Sequence, residues 1–407
     1  MAGPLKGLKV IDLSRVLAGP WCGQVLADMG ADVIKVEKPD LGDDTRQWGP
    51  PFLRDSDGSD SADAAYFHSA NRGKKSIAID ITTPKGQDII RKLVEGADVV
   101  IENFRVGGLK KHGLDYASLK AINKRLIYCS ITGFGQTGPY KDRPGYDFMI
   151  QGMGGLMSIT GHGDGNDGSG PMKTGVAISD LTTGMYATIA ILGALHERHN
   201  SGEGQYIDMS LLDVQVSWLA NQNMNYLIGG NVPTRKGNTH PNIVPYQAFP
   251  TSDGHIIITV GNDKQFKSFA QAIGCHEMAD DERFSKSSSR VKNRDILIPL
   301  IEKVLIQQTS ANWLDAMEKA LVPAGPINTI KQVFDDPQVK ARGMQFDLEH
   351  PIAGSVPQVA TPIQYSKSKL EYNKASPTLG QNTDEVLKAM GLSVDDIKLL
   401  RQKSIIN

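Results

Sequence analysis

The segment GVAISDLTTG contains the carboxylate best placed for chemistry in this chain, Asp180. The residues Val176–Ile178 before it are apolar, and the sequence from Leu181 to Leu195 predicts an apolar-rich helix. A carboxylate at such a junction has two interpretations. It can cap the helix by accepting a backbone N–H, or it can be a partly desolvated catalytic group whose anion the helix N-terminus stabilises. The residues alone leave both open.

Other motifs that carry chemistry are incomplete. The chain has no G-x-G-x-x-G after its first apolar strand and no G-x-x-x-x-G-K-[ST], so the common nucleotide fingerprints are missing. The run Gly161–Gly168 resembles a calcium loop, but Gly168 and Gly175 stand where EF-hand ligands are needed, which favours a flexible loop. His196 and His199 are three residues apart, whereas a zinc-protease helix needs four. We therefore expect no metal site.

Composition narrows the class of protein. The 407 residues carry 44 Lys+Arg against 45 Asp+Glu, and this balance predicts neither a nucleic-acid partner nor an anionic membrane partner. The most apolar helical stretch, Met185–Leu195, is shorter than the ~20 residues that span a bilayer. Three scattered cysteines (Cys22, Cys129, Cys275) favour a reducing compartment. Because no signal or transit segment is recognisable, we expect a soluble protein of the mitochondrial matrix or cytoplasm.

The elements that position these residues alternate between strand and helix. Helices are predicted at Pro20–Met29, from Pro84 to Val94 with Thr83 as the N-cap, and over Leu211–Leu227. The acidic stretch between Phe52 and Tyr66 is predicted to be a surface loop. Short apolar runs predict strands at Leu8–Leu13, Val33–Val36, Ser76–Ile81, Asp98–Ile101, Leu126–Ile131 and Gln205–Ser210. This alternation predicts an α/β fold with an open, Rossmann-like parallel sheet.

Many segments resemble, in order, the class III CoA-transferase family, also called the formyl-CoA transferase or CaiB/BaiF-like family. The resemblance covers essentially the whole chain. The segments that carry it include RVLAGP (15–20), GADVIKVEKP (30–39), GDDTRQWGPP (42–51), NRGKKSIAIDI (71–81), ADVVIENFRVGG (97–108), YCSITGFGQTGPY (128–140), GVAISDLTTG (175–184) and GPIN (325–328).

The resemblance implies an architecture. It implies a large CoA-binding domain from residues 1–224 that carries the catalytic Asp, a smaller α/β domain from residues 225–330, and a return of residues 331–407 to the large domain. It also implies a homodimer whose two chains are interlocked as rings.

The resemblance also implies an activity. Asp180 becomes the nucleophile that carries CoA as an aspartyl-CoA thioester between two acids. Segments such as DDTRQWGPPF and NYLIGG resemble the branch that takes CoA from succinyl-CoA to glutarate or a related dicarboxylate. The alternative is an acyl-CoA racemase or epimerase of the same fold. Racemases carry His where this chain has Tyr146, and Tyr, with a pKa near 10, replaces an acid–base His poorly.

Site residues follow from their positions in the family's motifs. CoA enters as a substrate, with no tightly bound cofactor and no metal. Among the candidates for substrate contact, Arg72 is favoured to pair with the free carboxylate of a dicarboxylate. The CoA-binding positions are Arg15, Leu17, Ala18, Lys38, Arg72, Lys74, Lys75, Asn103, Phe104 and Lys111. The substrate positions are Arg46, Arg72, Tyr146, Asp147 and Gly261, and any one of the lysines is as well explained as solvated surface.

Overall fold

The structure, a computed structural model, describes residues 2–55 and 57–407. The chain divides into two compact units. Among the described residues, the first unit comprises 2–156, 173–224 and 338–407, and the second comprises 157–172 and 225–337. The segment 157–172 thus groups with the second unit, which the expected boundary at residue 225 did not foresee.

The first part of the chain builds most of the parallel sheet. Its elements are β1 (Lys9–Asp12), α1 (Ala18–Asp28), β2 (Asp32–Glu37), β3 (Phe52–Arg54), β4 (Asp60–Ala64), α2 (Ala65–His68), β5 (Lys75–Ala78), α3 (Pro84–Val94) and β6 (Val99–Glu102). There follow α4 (Tyr116–Ile122), β7 (Ile127–Thr132), α5 (Asp147–Met153), α6 (Leu156–Ile159), α7 (Ile178–Ser201), β8 (Tyr206–Ser210), α8 (Leu211–Ser217) and α9 (Ala220–Gly229).

The remainder builds the second unit and then returns to the first. Its strands are β9 (Tyr246–Pro250), β10 (His255–Thr259), β11 (Ala324–Pro326), β12 (Gln345–His350) and β13 (Gly354–Val359). Its helices are α10 (Asp263–Ala272), α11 (Glu277–Asp280), α12 (Ser287–Lys292), α13 (Arg294–Leu305), α14 (Ser310–Lys319), α15 (Ile330–Asp335), α16 (Pro337–Ala341), α17 (Thr383–Ala389) and α18 (Val394–Gln402).

Six strands form the sheet of the first unit in the order β5-β2-β1-β6-β7-β8. All five neighbouring pairs are parallel, which confirms the predicted Rossmann-like sheet. The strand order reverses between β1 and β6. In an open parallel sheet this reversal leaves a crevice at the carboxyl ends of the two strands, where ligands bind.

Helices cover both faces of this sheet. Strand β1 shows how neighbouring residues in the sequence pack against helices on opposite faces. Successive side chains of a strand point to opposite faces. Val10 packs in one buried cluster with residues of α1 and α7. Its neighbour Ile11 packs in a second cluster with residues of α3, α4, α17 and α18. The near-continuous apolar strands of the sequence are thus buried on both sides, as parallel sheets require.

Gly184 sets how closely α7 approaches α1. A Cβ at this position would lie 2.6 Å from the carbonyl oxygen of Ala18, so only glycine permits the contact. Asp180 lies one helical turn earlier, on the same face of α7. The close packing therefore brings Asp180 towards the N-terminal end of α1.

Helix α7 is the longest helix among the described residues. Its 24 residues are long and apolar enough to cross a membrane by length and composition alone, although the apolar stretch Met185–Leu195 within it is shorter than a bilayer span. Ala187 and Ile191 are buried in the cluster shared with α1 and the sheet, as in a core helix.

Two local predictions were wrong and one was confirmed. The expected loop between Phe52 and Tyr66 contains the antiparallel pair β3–β4, although Ser56 within it lies outside the described residues. The expected helix over residues 211–227 is two helices, α8 and α9, with Ala220 at a positive φ of 43°. Thr83 does cap α3, because its side chain accepts the N–H of Gly86.

The second unit is a smaller α/β assembly. Strands β11, β10 and β9 form an antiparallel sheet in that order. Helices α10–α14 supply most of the remaining buried side chains, including Phe269, Leu297 and Trp313, which pack with Phe249 and Ile258 of the sheet.

Candidate active site

Asp180 is the third residue of α7, inside its first turn. The N-cap is Ala177, which has no side-chain hydrogen bond to the helix. The helix-cap interpretation of Asp180 is therefore wrong. Across residues 2–55 and 57–407, its carboxylate has no hydrogen bond or ion pair, so its oxygens remain available to a substrate.

Asp147, the first residue of α5, does the capping instead. Its Oδ1 accepts the backbone N–H groups of Ser179 and Asp180 at 2.7 and 3.3 Å. Its Oδ2 accepts Nε2 of Gln151 at 2.7 Å. Ser179 is fixed a second time, because its hydroxyl donates to Oε1 of Gln215 at 2.7 Å. The backbone that carries Asp180 is thus held by two neighbouring helices, α5 and α8.

The surroundings of Asp180 favour its protonated form. Burial and, to a smaller extent, the nearby negative charge of Asp147 together raise the pKa of Asp180 to about 7. Burial, together with the negative charges of the same two carboxylates, raises the pKa of the Tyr66 hydroxyl. At neutral pH a large fraction of Asp180 is still ionised, and that anion is poorly solvated, as a carboxylate nucleophile must be.

Asp180 lines a cavity of about 200 Å³ at the carboxyl ends of β1, β6 and β7. Leu17 and Ala18 line the same cavity, at the start of α1. The N-cap of α1 is Leu17, whose side chain accepts no hydrogen bond, so no side-chain cap is present at this terminus in the described part of the chain. An uncapped helix N-terminus beside a nucleophile can stabilise an oxyanion.

A second cavity, of about 570 Å³, adjoins the first. The two share the lining residues Arg15, Phe104 and Arg105. The larger cavity also contains Lys38, which follows β2, and Lys111. Both lysine side chains are exposed. The structure therefore brings together seven of the predicted CoA positions along one edge of the sheet: Arg15, Leu17, Ala18, Lys38, Asn103, Phe104 and Lys111.

Arg72 does not fit its predicted role. Its guanidinium is buried, with Nε and Nη2 2.9 and 2.7 Å from the two carboxylate oxygens of Asp28. It also donates to the carbonyl of Val359 at 2.7 Å. Asp28 ends α1, which runs antiparallel to the strands, so this pair lies at the opposite edge of the sheet from the crevice. The assignment of Arg72 to a substrate carboxylate or to CoA is corrected to a structural ion pair.

Lys74 and Lys75 are corrected for the same reason. Lys74 is fully buried, and its Nζ donates to Asp12 at 2.9 Å. Lys75 begins β5, at the amino edge of the sheet, where it pairs with Asp32 at 3.2 Å. Neither side chain lines a cavity at the crevice.

Arg46 is also a structural cation. It is buried with its guanidinium 2.7 Å from both Glu37 and Asp63, and it stacks over the Phe67 ring at 3.6 Å. Sequence patterns could not separate such cations from ligand-binding ones, because the carboxylates that neutralise them come from other elements.

The remaining predicted substrate residues lie in different places. Tyr146 is 63% exposed and lines the cavity of Asp180. Asp147 supports that cavity indirectly, because its carboxylate accepts the N–H of Ser179 in the first turn of α7. Gly261 belongs to the second unit, where it precedes α10 and donates its N–H to Oε1 of Gln265.

Comparison with known proteins decides the family. The profile described as "CoA-transferase family III" matches residues 5–383. The chain belongs to CoA-transferase family III. A crystal structure of a CaiB/BaiF family protein from Brucella suis is 53% identical and superposes with a TM-score of 0.84, covering 96% of this chain and 100% of that one.

Two curated relatives have more specific names. The succinate–glutarate CoA-transferase of Agrobacterium fabrum is 54% identical over 384 residues, 94% of this chain and 95% of that protein. The human succinyl-CoA:glutarate CoA-transferase is 43% identical over 393 residues, 97% of this chain and 87% of that protein. As a member of this family, the protein is an enzyme that transfers CoA between carboxylic acids.

Sequence reasoning missed two cations of this family III site. Lys141 and Arg143 line the cavity of Asp180, and neither has an ion-pair partner in the described part of the chain. The Arg143 guanidinium instead lies over the rings of Tyr140 and Phe134, at 4.7 and 5.6 Å from their centres. Their place in KDRPGYD, directly before Tyr146, was the available signal.

Proposed function

We propose that this family III enzyme transfers CoA between succinyl-CoA and glutarate, with Asp180 as the carrier of the activated group. The observation that supports this most is the unpaired, partly buried carboxylate of Asp180 beside the uncapped start of α1. The names of the Agrobacterium and human relatives supply the acid pair.

The reaction begins when a carboxylate oxygen of Asp180 attacks the thioester carbonyl of succinyl-CoA. The C–S bond breaks, giving an aspartyl–succinyl anhydride and CoA thiolate. The thiolate attacks the Asp180 carbonyl of the anhydride, which releases succinate and leaves an aspartyl-CoA thioester. Glutarate then reverses the two steps, taking CoA away as glutaryl-CoA and regenerating the carboxylate. No net proton or water is consumed, because each step exchanges one acyl bond for another.

The surroundings of Asp180 supply what a weak nucleophile needs. Its raised pKa makes the anion more basic and less solvated than an ordinary aspartate. The N–H groups at Leu17 and Ala18 are the candidates to stabilise the oxyanion formed at each attack. Tyr146, at the mouth of the cavity, is a candidate to contact the acyl chain.

CoA is proposed to lie along the crevice edge of the first unit. Its phosphates require cations, which Arg15, Lys38 and Lys111 provide around the larger cavity. Phe104 lies where the two cavities meet, so it can contact the part of CoA that passes from one to the other. Gly261 stays a proposed substrate residue on the family resemblance alone.

Arg143 and Lys141 are proposed to select dicarboxylates. The second carboxylate of succinyl-CoA or glutarate must be paired once it leaves water. Arg143 lines the cavity of Asp180 and has no carboxylate partner among the residues that the structure describes, so it can form such a bidentate pair. Arg143 therefore takes the role that the sequence had suggested for Arg72.

The active-site cavity argues against the racemase alternative. A racemase needs an acid and a base on opposite faces of the α-carbon. Among the described residues, no histidine lines the cavity of Asp180. Incubation with an α-methylacyl-CoA in deuterated water distinguishes the two activities, because only a racemase exchanges the α-proton.

The protein is further proposed to be a homodimer of interlocked chains, soluble, and located in the mitochondrial matrix or cytoplasm. Helix α7 exposes Met185, Tyr186 and Ile189, an apolar face suited to a second copy. Chains linked as rings cannot separate without unfolding. Sedimentation at nanomolar protein is expected to show a dimer only, and a concentration-dependent monomer would contradict it. We propose no resident cofactor or metal.

Substrate identity is tested by exchange assays. Succinyl-CoA is offered to a panel of mono- and dicarboxylic acids, and new CoA esters are identified by mass spectrometry. We expect glutarate to be the preferred acceptor and monocarboxylates to react poorly. Equal rates with acetate or propionate would contradict the proposed dicarboxylate specificity, while leaving the transferase activity itself intact.

A further inference from the structure

Glu102 is a buried carboxylate that takes no part in the mechanism above. It ends β6 with its side chain 6% exposed, and no ion pair to it occurs within residues 2–55 and 57–407. Its Oε2 accepts the backbone N–H of Phe104 at 2.8 Å. A buried carboxylate without a cation is costly, so its contact with the turn that follows β6 needs an explanation.

That turn carries Asn103, whose side chain connects β6 to the loop after β1. Its Oδ1 accepts the N–H of Arg15 at 3.0 Å, and its Nδ2 donates to the carbonyl of Arg15 at 2.7 Å. Asn103 thus holds both polar backbone groups of Arg15, across the point where the strand order reverses.

The held loop is strained at the next residue. Val16 has a φ of 72°, a left-handed conformation that is unfavourable for a β-branched residue. Its N–H lies 3.2 Å from both carboxylate oxygens of Asp43. Asn103 on one side and Asp43 on the other therefore maintain a loop that would otherwise relax. Arg15 lines both cavities, so the shape of this loop is part of the crevice.

We propose that Glu102 is a positioning residue for CoA binding. By fixing the N–H of Phe104, it keeps Asn103 directed at the Arg15 backbone and so holds the Arg15–Val16 loop in its binding shape. This inference rests on the proposed binding of CoA along the same edge.

The environment of Glu102 gives the inference a pH signature. Burial raises its pKa to about 7, while Ser130 and the Phe104 N–H act in the opposite direction. The ionised form accepts the Phe104 N–H more strongly, so CoA affinity should fall as the pH drops through 7. The titratable and charged side chains around Glu102, from the strands and the small cavity beside it, are Tyr128, Cys129, Tyr206, Asp208, Arg105, Lys110, Asp115 and Tyr116.

The test measures binding of free CoA by calorimetry, together with kcat and the KM for the acyl-CoA donor. Glu102→Ala is expected to weaken CoA binding about tenfold and raise that KM in parallel, with kcat changed less than about twofold. Glu102→Gln keeps an acceptor oxygen and the side-chain shape, and should restore affinity at pH 8 to within about threefold. Wild-type affinity in Glu102→Ala, or a Glu102→Gln variant as weak as Ala, would overturn the inference.

The variant Asn103→Ala tests the connection through the turn. Because both residues act through one turn, Glu102→Ala/Asn103→Ala should bind CoA no more weakly than the worse single variant. If the losses of CoA affinity in the two single variants multiply in the double variant, the two residues act independently, which would overturn the inference.

The Gln variant keeps the test decisive if the Ala variant does not fold. Between pH 8 and pH 6, the CoA affinity of the wild-type protein should fall by more than the CoA affinity of Glu102→Gln. The titration of CoA's own phosphate affects both proteins equally, so the difference between them reports Glu102. The same pH dependence in both proteins would overturn the inference. A wild-type protein that binds no CoA would instead contradict the proposed function, so the two failures are distinguishable.

Discussion

Asp147 accepts the backbone N–H of Asp180 at 3.3 Å, so two carboxylates that repel each other are held at one helix terminus. The bond fixes the backbone of Asp180, while the charge of Asp147 opposes its ionisation. Asp147 thus positions Asp180 and also makes its anion more basic. A substitution that removes the charge of Asp147 but keeps its acceptor oxygen can therefore separate its electrostatic effect on Asp180 from its structural one.

The acid limb of the pH–rate profile should report Asp180. Because the attacking form is the anion and burial raises its pKa to about 7, kcat should fall about tenfold per pH unit below that value. Asp147→Asn keeps an acceptor for the Ser179 N–H but removes the negative charge, so the limb should move to lower pH. Rates are measured from pH 5 to pH 9. An unmoved limb in Asp147→Asn would show that Asp147 has no electrostatic effect on the nucleophile.

The stability of Asp180→Asn should depend on pH in a defined direction. The folded pKa is raised above the unfolded value of about 3.8, so the wild-type protein loses stability as the pH rises from about 4 to about 7. The Asn variant lacks this loss. Its free energy of unfolding should exceed that of wild type by about 1–3 kcal/mol at pH 8 and by little at pH 4, with solvent access reducing the full linkage value. Chemical denaturation at both pH values measures the difference. A variant less stable than wild type at pH 8 would contradict the conclusion that the buried charge of Asp180 destabilises the folded protein.

Arg143→Gln should impair use of dicarboxylates selectively. Loss of the pair to a free carboxylate is expected to raise KM for succinyl-CoA and glutarate by ~10–100-fold, equivalent to ~1.5–3 kcal/mol. The KM for a monocarboxylyl donor such as acetyl-CoA should change little. Arg54→Gln, on an exposed arginine outside both cavities, is the matched control. Equal losses for both donor types would assign Arg143 to CoA binding or to folding.

Arg72→Ala should act on stability instead of specificity. It leaves the buried carboxylate of Asp28 unpaired, and breaking a buried ion pair in this way costs ~3–5 kcal/mol. The double variant Arg72→Met/Asp28→Leu removes both charges and should recover much of the loss. Thermal unfolding and the KM for each substrate are measured together. A stable Arg72→Ala protein with a raised KM for dicarboxylates alone would restore the original sequence-based assignment.

The sequence was sufficient to predict the features that depend on residues close together in the chain. Thr83, Pro84 and Gly86 are adjacent in the chain, and the cap they predict is present. The parallel sheet followed from the alternation of apolar strands and helices, since periodicity is a property of each segment. The family and the candidate nucleophile followed from motifs that are contiguous.

The sequence was insufficient to assign a side chain whose ion-pair or hydrogen-bond partners come from distant segments of the chain. Arg72 meets Asp28 and Val359, which are 44 and 287 residues away. A cation cannot be judged free until its neighbours are known, so Arg72 was favoured and Arg143 overlooked. The sequence leaves a capping role for Asp180 open, because the true cap, Asp147, reaches this helix terminus from another helix.

The covalent role of Asp180 is tested most directly by trapping. The wild-type enzyme is incubated with succinyl-CoA without an acceptor, treated with hydroxylamine, and digested for mass spectrometry. The account predicts a hydroxamate on Asp180, formed from the aspartyl-CoA thioester, and no exchange activity or hydroxamate in Asp180→Asn. A modified residue other than Asp180, or an active Asp180→Asn variant, would contradict it.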